Sequence, residues 1–189
     1  DWMRAMLNRG PRMFDALIQN SFQHGVLFFA STSILIIGAL LAGLGATEEA
    51  MDMLVDLPFS STTTRTVWEI KVLLITFIFV FAFFKFAWSY RQFNYVMILM
   101  GAAPDPRSIE AEAETQIVHQ LASMHSLAAL HFTTGLNAYF FALAAFAWFL
   151  NGWLLIVATI WINAVMYRRA FASKFVRHLK NDVNYHEGE

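Results

Sequence analysis

Apolar positions in this chain come as long unbroken runs rather than as stripes one face wide, and polar breaks divide them into four. Val26 to Leu44 contains no charged residue, and about 20 such residues in a helix cross a hydrocarbon core of about 30 Å. A second run extends from about Thr66 to Trp88, with Glu69 and Lys71 at one end and Lys85 at the other. A third covers Leu127 to Leu150, and Asn151-Gly152 then turns the chain into a fourth that starts at Trp153 and reaches Tyr167. The pattern predicts an all-α integral membrane protein, a single helical domain over residues 1–189 with spans at about 26–45, 66–88, 127–150 and 153–167.

The apolar character does not stop where the charges begin. After Lys85 and Arg91 the chain stays apolar to Gly101, where Pro104-Asp105-Pro106 ends the helix. At about 1.5 Å per residue a helix from Thr66 to Gly101 is about 54 Å long, more than a bilayer accommodates. Asp105 or Ser108 is placed to cap the next helix, with Glu110, Glu112 and Glu114 complementing its dipole. That helix has an apolar lead of its own (Ile117, Val118, Leu121, Met124), and Phe171, Phe175, Val176 and Leu179 continue the fourth run. Three spans thus carry long extensions, which must cover one another to avoid exposing apolar surface. Phe93, Val96, Met97 and Met100 are expected against Leu121 and Met124, with Phe14 and Phe175 closing the group.

Residues 2–22 set Met13, Phe14, Leu17 and Ile18 at helical spacing among Arg4, Arg9, Arg12 and Asp15. This is an amphipathic helix, interrupted or started by Gly10-Pro11, lying on the membrane surface or packed on the chain's own extensions. Small residues form two faces where helices can approach closely: Ser31, Gly38, Ala42 and Gly45 in the first span, and Gly135, Ala138, Ala142 and Ala145 in the third. The first is expected to pack on another span, the second on spans one and four.

Charge orients the spans. Arg4, Arg9 and Arg12 precede the first; Arg91 and Arg107 follow the second; Arg168, Arg169, Lys174, Arg177 and Lys180 follow the fourth. The opposite ends carry an acidic loop (Glu48, Glu49, Asp52, Asp56) and a two-residue turn. By the positive-inside rule both ends of this chain are cytoplasmic. Trp88, Tyr90 and Tyr95 suit the interfacial belt at that level, toward which Lys85 is expected to snorkel. Composition agrees: 58% of the 189 residues are hydrophobic and 14% charged, against about 25% charged in soluble domains. A net charge of −1 excludes a bulk polyelectrolyte partner such as nucleic acid, and the lack of cysteine excludes disulfides and thiolate chemistry.

Candidate chemistry is sparse. His119, His125 and His131 are six residues apart in one helix, so each is turned by about 240° from the last and the three cannot share a metal. His24 and His131 open two spans at the same level, as two haem ligands from different helices would, and are the candidates for such a pair beside ordinary hydrogen-bonded interfacial histidines. Lys85, Ser89 and Gln92 share a helix face beside Arg91 and Asn94, and His119, Ser123, Ser126, Thr134 and Asn137 trace a comparable seam on the third span. Polar seams inside a membrane bundle are functional candidates. These two could line a lipid-headgroup pocket, an ion path or a small-substrate site, or join helices by hydrogen bonds. Anionic lipid contact also suits Arg168 and Arg169. No Glu-x-x-His, HExxH or glycine-rich phosphate loop occurs.

Lys85 to Pro104 (KFAWSYRQFNYVMILMGAAP) resembles the uncharacterised membrane family known as domain of unknown function 599, as do Phe28 to Ala46 and Gly135 to Phe171. The resemblance implies a multi-helix fold in a bacterial inner membrane and no particular reaction, substrate or cofactor. It also implies a further hydrophobic helix upstream, consistent with a chain that opens on Asp1. Relatives often carry a basic residue near the positions of Thr134 and Asn137, both uncharged here. The expected function is therefore non-enzymatic association, as an accessory subunit or a homo-oligomer in contact with membrane lipids, with no cofactor. The alternatives are a small transporter or channel using the polar seams, or a haem- or metal-binding redox protein at His24 and His131.

Overall fold

The computed structural model describes residues 2–55, 64–105 and 108–171, and every regular element among them is helical. The chain order is α1 (Trp2–Leu7), α2 (Met13–Gly45), α3 (Thr47–Val55), α4 (Arg65–Ala102), α5 (Ala111–Phe146), a 3-10 turn (Ala147–Phe149) and α6 (Gly152–Phe171). Among the described residues three segments are long and apolar enough to cross a membrane: Met13–Gly45, Arg65–Ala102 and Ala111–Phe149.

Gly10-Pro11 interrupts the N-terminal segment, and the first helical bond of α2 runs from Ala16 N–H to the Arg12 carbonyl at 3.1 Å. From there α2 continues for 33 residues, so the amphipathic segment and the first span are one helix. Its internal glycines do not break it, because in an apolar surrounding a released backbone group finds no water to bond. The acidic stretch expected as a loop contains α3 instead, with Glu48 and Glu49 in its first turn, where the helix dipole favours carboxylates. Pro58 and most of the Ser/Thr run lie outside the described residues, as does Phe175. α5 starts at Ala111, so neither Asp105 nor Ser108 caps it. Ser108 closes a separate turn, its N–H and Oγ both donating to the Asp105 carbonyl at 2.9 and 2.7 Å.

Two compact units make up the chain. The first takes residues up to Ala46 and Val72–Tyr139; the second takes Thr47–Lys71 and the chain from Phe140 on.

In the first unit α2, α4 and α5 pack through Val26, Ala30, Ala82, Phe86, Phe93, Ala128 and Ala138. A second cluster joins Met3, Met6 and Leu7 of α1 to Val96, Met100 and Leu121, with Met124 against it. The extensions of α4 and α5 therefore cover each other as expected, but α1 closes the group. Phe14, assigned that role from sequence, is 63% exposed. The face of α2 is inverted relative to a soluble helix. It buries Asp15, Gln19, Gln23 and Ser33 and exposes Met13, Leu17, Phe28 and Leu35, the last at 74%. Such a surface is tolerated only against an apolar solvent or a partner. Gly135 meets Phe86 of α4, while Ala138 of the same face lies in the cluster with Val26 and Ala30 of α2. Around Gly38 and Gly45 nothing else among the described residues lies within 4 Å of where a Cβ would stand, so they leave the small face of α2 open.

In the second unit Asn151 caps α6, its Oδ1 accepting the Trp153 N–H at 3.0 Å. Arg65 bonds Glu69 at 2.9 Å and Glu48 at 3.2 Å, tying the start of α3 to the start of α4. All three side chains are substantially exposed, so these pairs add little stability. Ala142, Ala144 and Ala145 are buried, while Trp153 and Trp161 of α6 are 76% and 70% exposed.

Candidate functional site

The first unit contains a polar core strung along the buried edge of α2. Asp15, Gln19, Gln23 and Ser33 recur at helical spacing with Val26 and Ala30 between them, so one stripe alternates from charged to amide to apolar to hydroxyl. At its N-terminal end the fully buried Asp15 accepts from Trp2 Nε1 at 2.7 Å and from Arg9 Nη1 at 3.0 and 3.1 Å. This clasp folds α1 back on α2. Arg12 completes it from the other side, donating to the carbonyls of Met100 (3.0 Å), Ala103 and Pro104 (2.9 Å), the groups that the C-terminus of α4 leaves without helical partners. An open cavity of about 460 Å³ lies beside the clasp, lined by Arg9, Arg12, Asp105 and Glu114 among others.

One turn further on, Gln19 Nε2 donates to the Phe93 carbonyl at 3.4 Å, and Gln23 Nε2 to Asn94 Oδ1 at 2.9 Å. Ser89 Oγ donates to the Ala128 carbonyl at 2.8 Å, joining α4 to α5. Ser33 Oγ and Tyr139 Oη stand 3.0 Å apart, and both reach the Phe29 carbonyl. The His125 ring is enclosed by Trp2, Phe22 and Phe93, with centroids at 5.2, 5.6 and 5.3 Å. Three buried polar atoms here have no partner among the described residues: Gln19 Oε1, Gln92 Oε1 and His125 Nδ1. The chemistry of this core is that of hydrogen-bonded helix contacts. Its charged group is neutralised by Arg9, and its amides and hydroxyls largely bind backbone or each other.

The residues expected from sequence are distributed more widely. Ser89 and Asn94 belong to this core, and Gln92 borders it half-buried. Arg91 is exposed and folds onto its own helix, with Nε donating to Tyr95 Oη at 2.7 Å. Lys85 does not snorkel toward the C-terminal end of α4. Its ammonium lies 5.3 Å from the ring of Phe81, one turn back, as the N-terminal tilt of helical side chains dictates. Asn137 is half-buried on α5, and Arg168 and Arg169 are exposed in the last turn of α6. Of the haem pair, His24 is exposed with Nδ1 2.9 Å from the Asn20 carbonyl, while His131 is half-buried on α5. No described contact joins them, and among the described residues no three His, Asp or Glu side chains are grouped to hold a metal.

The two polar seams do not face each other. His119, Ser123 and Ser126 are exposed, whereas Leu121, His125 and Ala128 point into the bundle. The two sets are offset by two residues, about 200° around a helix. Gln19 and Gln23 are core members that the sequence reading did not name, while Asp15 and His125 were named but not as core residues. The signal for Asp15, Gln19 and Gln23 was a polar residue every fourth position in α2.

Compared with known proteins, residues 1–175 match the family model described as Protein of unknown function, DUF599. No curated protein and no solved structure matches the chain.

Proposed function

The chain belongs to DUF599, a family of proteins of unknown function, and on that premise we propose a non-enzymatic protein of the bacterial inner membrane that works by association. It acts as an accessory subunit of a membrane complex or as a homo-oligomer. The observation that carries this reading is the outer face of α2. Among the described residues Gly38 and Gly45 have nothing within 4 Å of an added Cβ, and Ser31 and Ala42 beside them are exposed. Lipid has no need of small residues, whereas a partner helix gains close backbone approach from them.

In this reading α6 is a fourth span. Its 20 residues reach about 30 Å, enough for a hydrocarbon core. Arg168 and Arg169 in its last turn, with Arg9, Arg12 and Arg91, lie on the cytoplasmic side by the positive-inside rule. The ends of α4 and α5 that pack with α1 then form the cytoplasmic extension of the bundle. Engagement of Ser89, Gln23 and Asn94 in helix contacts supports packing over transport. Mass measurement of the protein after gentle extraction from native membrane tests the proposal. A defined homo-oligomer or a stoichiometric partner is expected, and a lipid-loaded monomer with no companion overturns it.

A further inference from the structure

Lys71 of the second unit is 3% exposed. An ammonium carries three donors. One is used at the end of α5, where Nζ donates to the Trp148 carbonyl at 3.0 Å. Nζ also lies 5.2 Å from the Trp148 ring and 5.8 Å from that of Phe149. Among the described residues no carboxylate is within ion-pair distance of it. Glu69, the nearest acidic residue in sequence, bonds Arg65 instead, as does Glu48.

Trp68 lies three residues earlier, on the same face of α4. Its Nε1 is buried and has no partner among the described residues. Its ring meets Phe149 edge-on with centroids 4.5 Å apart, so Trp68 and Lys71 converge on one phenyl ring. A buried ammonium with donors to spare and a buried indole N–H that has no acceptor among the described residues thus converge on Phe149, a costly arrangement unless something supplies one.

We propose that Trp68 and Lys71 form a binding site for a single oxyanion, and that its occupant is the phosphate of an anionic phospholipid. An oxyanion accepts from both donors and neutralises the lysine, while Trp148 and Phe149 wall it from water. The lipid source follows from the surroundings. Tryptophans gather at the headgroup level of membranes, and in this unit Trp153, Leu154 and Val157 expose apolar surface suited to an acyl chain. A free phosphate has the same chemistry, and the experiment separates the two.

The delipidated full chain is titrated with phosphatidylglycerol in detergent and the bound lipid is counted by native mass spectrometry; a parallel titration uses inorganic phosphate, followed by tryptophan fluorescence. Trp68→Phe keeps the ring against Phe149 and removes only the donor; Lys71→Met removes the charge. Wild type is expected to retain one phosphatidylglycerol that Trp68→Phe binds about tenfold more weakly, the worth of one hydrogen bond to a charged group, and that Lys71→Met loses. Saturation by inorganic phosphate with the same sensitivity to Trp68→Phe upholds the oxyanion site with a soluble occupant. Wild-type binding of both probes by Trp68→Phe overturns the site, whether or not Lys71→Met folds.

Discussion

The ring of Phe86 occupies the space that a side chain at Gly135 would need: a Cβ there would stand 2.6 Å from Cε1 and 2.8 Å from Cζ. The ring has no room to withdraw. It is fully buried, stacked on Phe29 at 5.5 Å, and flanked by Phe132 and Tyr139 at 5.8 and 5.6 Å. Gly135→Ala is therefore expected to destabilise the protein by about 1–3 kcal/mol, the usual cost of overpacking. Thermal unfolding in detergent measures it. Unchanged stability would mean that α4 and α5 do not approach in this way.

Gly38 is the opposite case, since an added Cβ meets nothing within 4 Å among the described residues. Gly38→Leu should leave the unfolding temperature of the isolated chain unchanged or slightly raised, because leucine is a better helix former than glycine by about 0.8 kcal/mol. Association should be lost or strongly weakened. Sedimentation in detergent reads both states, and an unaltered oligomer would remove α2 from the interface.

The clasp at Asp15 predicts an asymmetry. Arg9→Gln leaves a fully buried carboxylate with the Trp2 indole as its remaining described donor, whereas Asp15→Asn still accepts from Trp2 and frees an Arg9 that is already 42% exposed. The first should cost about 2 kcal/mol and the second about half as much. Tryptic cleavage after Arg4, exposed on α1, is expected to accelerate more in Arg9→Gln. Equal rates would show that the pair does not hold α1.

Ser33 and Tyr139 share the Phe29 carbonyl, so their contributions should not add. Ser33→Ala and Tyr139→Phe are each expected to cost about 0.6 kcal/mol, typical of hydroxyl contacts between membrane helices. The double variant should differ from the sum by about 0.5 kcal/mol or more. Strict additivity in a double-mutant cycle would place the two hydroxyls apart.

Much of this architecture was legible from local chemistry. Gly10-Pro11 interrupts the first segment because proline has no N–H to offer, and Asn151-Gly152 turns the chain because the Asn side chain caps the helix that follows. The contact of Val96 and Met100 with Leu121 followed from apolar residues that had to be covered. The seam on α5 was misplaced because hydrophobicity alone does not separate inside from outside when the solvent is itself apolar. His119, Ser123 and Ser126 are as regularly spaced as Leu121, His125 and Ala128, and only the rotation of the helix against α2 and α4 chooses between them.

By itself, then, the sequence determined that the chain is built of long helices, which segments suit a membrane, and which family the chain belongs to. Those properties rest on runs of residues and on backbone hydrogen bonding, both local in the chain. Tertiary structure alone decided that α2 turns Asp15, Gln19 and Gln23 inward, that α1 folds back over the ends of α4 and α5, and that Lys71 is buried beside Trp68. Each depends on residues distant in sequence meeting at one depth, and in an apolar surrounding it is shape and hydrogen bonding between helices, not hydrophobicity, that selects the meeting.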